Sequence, residues 1–142
     1  MPISARNQLA AKVSNIRNGT VNAEIELTLA GGDTLVAIVT ERSVKDLGLT
    51  IGKDVVALIK APWVILTVGP QPLKFSARNR LTGRIARVRE GAVNTEVTLA
   101  LPGGAAIVAV VDTEAVTELE LKVGVEATAL IKASHIVLGV SA

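Results

Sequence analysis

Cysteine and tyrosine are absent from the 142 residues, and histidine, tryptophan and phenylalanine occur once each. Without thiols there is no disulfide, iron–sulfur cluster or thiolate zinc site, and a single histidine, His135, cannot build a multi-histidine centre, so no metal cation is expected. One Trp and one Phe make a poor platform for stacking bases, which argues against a single-strand nucleic-acid binder. A formal net charge of +2 is too small to point to nucleic acid either. No run approaches the roughly 18 apolar residues of a membrane span. The start, Met-Pro-Ile-Ser-Ala-Arg, lacks a basic segment followed by an apolar run, so the cytoplasm is the expected location. Catalysis is unmotivated: there is no Walker-type phosphate loop, no thiol nucleophile, and no Ser and Asp arrangement around His135. The chain is expected not to be an enzyme.

What is present is duplication. Ser-Ala-Arg-Asn stands at Ser4–Asn7 and again at Ser76–Asn79, and Leu-Ile-Lys-Ala follows each at the same distance, at Leu58–Ala61 and Leu130–Ala133. A shift of 72 aligns residues 4–68 with 76–140 without a gap, and about 28 of the 65 pairs are identical. A unit of this length suits two small domains better than a solenoid, which gives 1–68 and 74–142 joined by a linker at 69–73. Gly69-Pro70-Gln71-Pro72 fits that linker, because proline cannot donate to a central strand ladder. Apolar residues make up 49% of the chain but almost none are aromatic, so the cores are aliphatic and small. Docking of the repeats or oligomerisation must supply further burial, and an assembly is expected.

Within the first repeat, Leu9–Ile16 roughly alternates and runs into the Asn18-Gly19 turn, and Val21–Leu29 alternates strictly, the pattern of a half-buried strand. Gly31-Gly32-Asp33 permits a reversal into the β-branched Thr34–Thr40. Ser43 is a candidate cap for a short helix ending at Gly48, and Val55–Lys60 and Val64–Val68 supply strands four and five. The second repeat repeats the plan over Leu81–Val88, Val93–Leu101, Ala106–Val111, Glu126–Ile131 and Ile136–Val140. The expected fold class is all-β: two OB-fold-like five-stranded barrels in tandem, each with one short helix.

The recurring hydroxyl, guanidinium and ammonium, spaced by alanines that leave backbone N–H groups accessible, suit an oxyanion. For each charged residue a structural role competes: Lys60 and Lys132 as solvated strand ends, Arg6 and Arg78 as partners of Glu24 or Glu96. Arg78, Arg80, Arg84, Arg87 and Arg89 crowd the start of the second repeat and read as a solvated strand face.

Taken together, Ser-Ala-Arg-Asn, the Gly-x-Val-Asn-x-Glu turns at Gly19–Glu24 and Gly91–Glu96, the Leu47-Gly48-Leu49 helix end and Leu-Ile-Lys-Ala resemble the Mop domain of the molbindins, small cytoplasmic molybdate-binding proteins. Two copies and nothing else resemble the tandem form, the dimop. The resemblance implies storage of molybdate, with tungstate as an alternative ligand, for molybdenum homeostasis, and no organic cofactor. The runner-up is a ligand-sensing module acting on a separate partner, since similar domains serve a molybdate-responsive regulator; a nucleic-acid-binding OB protein comes behind it.

In that family the anion lies at subunit interfaces, held by the Ser-Ala-Arg segment of one domain with the Lys-Ala segment and a threonine of another. Carried over, the ligands are Ser4, Ala5, Arg6, Thr40, Lys60 and Ala61, and in the second repeat Ser76, Ala77, Arg78, Lys132, Ala133 and Ser134. Asp112 departs from the pattern by standing where the first repeat has Thr40. Asn22 and Asn94 read as turn residues with Asx-type bonds. By the resemblance they also read, with Val21 and Val93, as a second anion pocket where three chains meet on a threefold axis. A homotrimer of six Mop domains is the implied assembly, and His135, opposite Trp63, reads as a packing or interface residue.

Overall fold

The computed structural model describes residues 2–142. Its ten strands and two helices follow the repeat: β1 (Asn7–Arg17), β2 (Asn22–Leu29), β3 (Thr34–Thr40), α1 (Glu41–Leu47), β4 (Asp54–Ile59) and β5 (Ile65–Thr67), then β6 (Asn79–Arg89), β7 (Asn94–Ala100), β8 (Ala106–Asp112), α2 (Thr113–Glu118), β9 (Glu126–Ile131) and β10 (Val137–Gly139). All strand pairs are antiparallel. The alternation seen in the sequence is the alternation of burial: Ala23, Ile25, Leu27 and Leu29 face inward, with Asn22, Glu24, Glu26 and Thr28 between them on the other face.

The fifth strands do not complete their own repeats. One sheet has the order β10-β4-β1-β2-β3 and the other β5-β9-β6-β7-β8, so each half receives its last strand from the other. Val64–Val68, expected to close the first barrel, instead sets Ile65 opposite Leu130 and Thr67 opposite Thr128, while Val137 lies opposite Leu58. The exchange begins after Lys60 and Lys132, where 3-10 turns at Ala61–Trp63 and Ala133–His135 redirect the chain, the first with Pro62 near its start. These turns pack on β8 and β3 of the opposite halves, and their leading alanines are 0% and 2% exposed. A larger side chain would hold the turn off the strand. The aliphatic core consequently runs through both halves as one cluster, joining Ile25, Leu35 and Ile59 to Ile85, Leu99 and Ile131.

Buried asparagines lock this arrangement. The Asn7 carboxamide accepts from Val108 N at 2.7 Å and donates to Val108 O at 2.8 Å and Ile59 O at 3.2 Å. Asn79 does the same to Val36, at 2.7 and 2.8 Å, and donates to Ile131 O at 3.3 Å. Each side chain thus acts as a peptide group against the free edge of a strand in the other half, satisfying donors and acceptors that the sheet leaves open. The β2–β3 and β7–β8 hairpin tips also meet. Gly103 N donates to Asp33 Oδ2 at 3.0 Å, and a Cβ on Gly31 would collide with the Gly103 carbonyl.

Helix α1 starts earlier than expected and is capped by Thr40, whose Oγ1 accepts from Ser43 N at 3.1 Å, rather than by Ser43. It ends on Gly48 at φ 63°, with Leu49 N reaching Val44 O. The second repeat keeps the same closure, Leu121 N to Val116 O, but Glu120 occupies the left-handed position at φ 53°. A side chain there costs about 1 kcal/mol that glycine avoids.

Asn79→Ala should lower unfolding free energy by about 2 kcal/mol, because it leaves the partly buried Val36 amide and carbonyl without their partner; urea titration measures this. Glu120→Gly should raise it by about 0.5–1 kcal/mol in the same assay.

Candidate functional site

Asn7 pairs with Ile59 and Asn79 with Ile131, so the residues just beyond them, Arg6 beside Lys60 and Arg78 beside Lys132, sit at one end of neighbouring strands. Each Ser-Ala-Arg segment therefore meets the Lys-Ala segment of its own repeat, although the motifs are more than fifty residues apart in sequence. Ser76, Ala77 and Lys132 line one cavity of about 220 Å³ with Phe75, Leu130 and His135, closed on another side by Trp63 and Ile65 from the exchanged segment. Arg78 adjoins these residues. Ser134 is exposed and Ala133 buried in the 3-10 turn that packs on β3.

The arginines reach across the molecule. Arg6 Nη2 lies 2.8 Å from Glu96 Oε1, and Arg78 Nη1 lies 2.6 Å from Glu24 Oε1. The glutamates are largely buried, at 17% and 23% side-chain exposure, whereas the arginines are about half exposed. A guanidinium has five N–H donors, so the carboxylate fixes its plane and leaves donors free for a second acceptor. Glu24 also has Arg17 Nη1 at 3.7 Å.

Thr40 does not lie with the first-repeat motifs. It ends β3, the strand that Asn79 grips and the Ala133–His135 turn covers, and its register partner Asn22 is two residues from Glu24, the partner of Arg78. Asp112 correspondingly ends β8 on the side of Arg6 and Glu96, with Asn94 as its register partner. The structure brings Thr40 to the second-repeat motifs and Asp112 to the first. The Thr40 hydroxyl is bonded to Ser43 Oγ at 2.9 Å, and Asp112 makes no capping bond.

Each half of the chain matches the TOBE-domain family model, over residues 3–66 and 76–138. The chain belongs to the TOBE-domain family. Over 138 residues it is 47% identical to the molybdenum-pterin-binding protein MopA of Rhodobacter capsulatus, and over 140 residues 43% identical to the molybdenum transport protein ModE of Azotobacter vinelandii. Those alignments take in 97% and 99% of this chain but 52% of each relative, so the tandem TOBE chain spans about half their length. Among solved structures, the cytoplasmic molybdate-binding protein ModG, with molybdate bound, superposes with a TM-score of 0.94 at 52% identity, covering 99% of this chain and 100% of that one.

Between the two TOBE repeats, Trp63 and His135 stack, their ring centroids 4.7 Å apart and planes tilted by 37°. They occupy equivalent positions in the two 3-10 turns, and His135 Nδ1 is buried without a hydrogen-bond partner. The packing role expected for His135 is what the ring makes, and in addition it lines the cavity with Ser76 and Lys132. The arginines of β6 form a solvated face as expected: Arg80, Arg84, Arg87 and Arg89 are exposed. Val21 and Val93 project into solvent at 69% and 74% exposure beside Asn22 and Asn94, and within one chain these two turns lie on different halves.

Missing from the sequence reading were the lining residues Ile65, Phe75 and Leu130, since hydrophobic strand residues carry no signal of chemistry. Crosswise pairing of arginine with glutamate was open there but unassigned. Removing the stack by His135→Ala should expose Trp63, the single tryptophan, and shift its emission to longer wavelength in a fluorescence spectrum.

Proposed function

We propose that this tandem TOBE chain binds molybdate, with tungstate as an alternative ligand, and holds it as a store for molybdenum homeostasis. The observation that carries the reading is the convergence, at the ends of β6 and β9, of Ser76, Ala77 and Lys132 around one small cavity, with Arg78 next to Ala77 and the same residue types at the ends of β1 and β4. These groups offer donors and positive charge. Molybdate at neutral pH is a tetrahedral dianion with acceptors only, which such a set matches, whereas hydrogen phosphate carries a proton that finds no designated acceptor. Molybdate binding by ModG, at 52% identity over the whole length of both chains, supports the same reading and its cytoplasmic setting. The ligand set in this reading is Ser4, Ala5, Arg6, Lys60 and Ala61, and Ser76, Ala77, Arg78, Lys132, Ala133 and Ser134, with Thr40 contributing to the second group.

The assembly in this reading is a homotrimer. Exposed apolar side chains recur at equivalent positions of the repeats, Val21 with Val93, Ile51 with Val123 and Ile65 with Val137, each at least 57% exposed. A surface that keeps such pairs through duplication fits closed contacts between copies, including a pocket made by the Val21-Asn22 and Val93-Asn94 turns.

Calorimetric titration should show tight molybdate and tungstate binding, with sulfate and phosphate weak or undetectable; equal affinity for sulfate would remove the selectivity. Arg78→Ala or Lys132→Ala should weaken molybdate binding by roughly 1.5–3 kcal/mol. Light scattering should report three chains, with molybdate opposing dissociation; a single-chain mass in both conditions would overturn the trimer.

A further inference from the structure

We infer that the two oxyanion sites of the chain are unequal, and that the residue setting the difference is Asp112, which weakens the site built on the first-repeat motifs. The inference rests on the oxyanion reading of those motifs and adds to it which site is the weaker and why.

The two sites are built alike from strand positions. In the second-repeat site Arg78 is held by Glu24, Glu24 lies opposite Ile38, and Thr40 is the next residue along β3 on that same face. In the first-repeat site Arg6 is held by Glu96, Glu96 lies opposite Val110, and Asp112 is the next residue on that face of β8. Two residues along a strand is roughly 7 Å. The side chain at this position thus stands within one register step of the arginine's partner, close enough for its charge to act on a bound anion across a partly screened surface. Flanking arginines match in register, since Arg17 lies opposite Glu24, at 3.7 Å from its carboxylate, and Arg89 opposite Glu96. Thr40 is neutral and Asp112 is a carboxylate.

Helix starts add to the imbalance in the same direction. Glu41, Arg42, Lys45 and Asp46 follow Thr40 and sum to zero, with Arg42 3.7 Å from Asp46, whereas Thr113 and Glu114 follow Asp112 and leave a second negative charge. Neither carboxylate is neutralised by a close cation, because the ion pairs of this region use Glu24 and Glu96 and no side-chain hydrogen bond joins Asp112 to the start of α2. A dianion arriving beside Arg6 and Lys60 therefore meets repulsion that one arriving beside Arg78 and Lys132 does not. At such separations the expected difference is about tenfold in affinity at low salt.

Molybdate titration of the full chain and its variants tests this. The parent should show two classes of site; Lys132→Ala should weaken the tighter by more than about tenfold and leave the weaker intact, and Lys60→Ala should do the reverse. Asp112→Asn should tighten the class that survives in Lys132→Ala about tenfold and leave the class in Lys60→Ala unchanged. Thr40→Asp should weaken the class left in Lys60→Ala, and 0.5 M salt should shrink the parent's gap. Asp112 is exposed and caps nothing, so the Asn variant keeps the fold, which a thermal melt verifies. If the parent fails to bind molybdate, the oxyanion reading falls and this inference with it. If the parent binds but Asp112→Asn titrates like its background in both lysine variants, only the inequality is overturned. A gain confined to the Lys60→Ala background would overturn the assignment of Asp112 to the first-repeat motifs.

Discussion

Everything distinctive in this molecule depends on two carboxamides held out of water. Asn7 and Asn79 are 2% and 3% exposed, and each bonds through both oxygen and nitrogen to the backbone of one residue in the opposite half, its nitrogen also reaching Ile59 O or Ile131 O in its own. A buried amide with no partner would be costly, so the halves can dock in only the one register that satisfies both. That register fixes the rest. It sets Arg6 and Arg78, one residue earlier, within reach of Glu96 and Glu24, and it lays the two 3-10 turns on β8 and β3. The chemistry-bearing residues are thus positioned by a purely structural contact next to them in sequence.

The same arrangement explains why the motif residues cluster without long loops. Ser-Ala-Arg leads into β1 or β6, and Lys-Ala leads out of β4 or β9, so antiparallel pairing alone sets them side by side. A rigid strand end is a better support for a charged donor than a loop, because its direction is fixed by ladder hydrogen bonds on either side. The glutamates add orientation: nearly buried carboxylates hold half-exposed guanidiniums with donors to spare.

The strands were legible because alternation over Val21–Leu29 and β-branched runs such as Thr34–Thr40 leave little choice of element. The duplication announced that whatever one half did the other would do. The exchange of β5 and β10 was not legible, since Val64–Val68 and Ile136–Val140 have nearly the same apolar pattern and either would satisfy either sheet; the partner is chosen by the direction of the 3-10 turn. Thr40 as cap in place of Ser43 is a similar case, two hydroxyls three residues apart that sequence alone cannot rank. Where Thr40 and Asp112 belong depended on contacts between repeats, which no spacing within a repeat encodes.

The traded strands also change what the connection between the repeats is for. In a chain whose domains close on themselves, the segment 69–73 would be a tether, and cutting it would free two bodies. Here β5 is already woven into the second sheet before that segment begins, and β10 returns to the first after it. The peptide between them carries almost none of the mechanical load. The halves are interlaced like clasped fingers, and severing Gly69–Leu73 would leave two polypeptides that still share one interior.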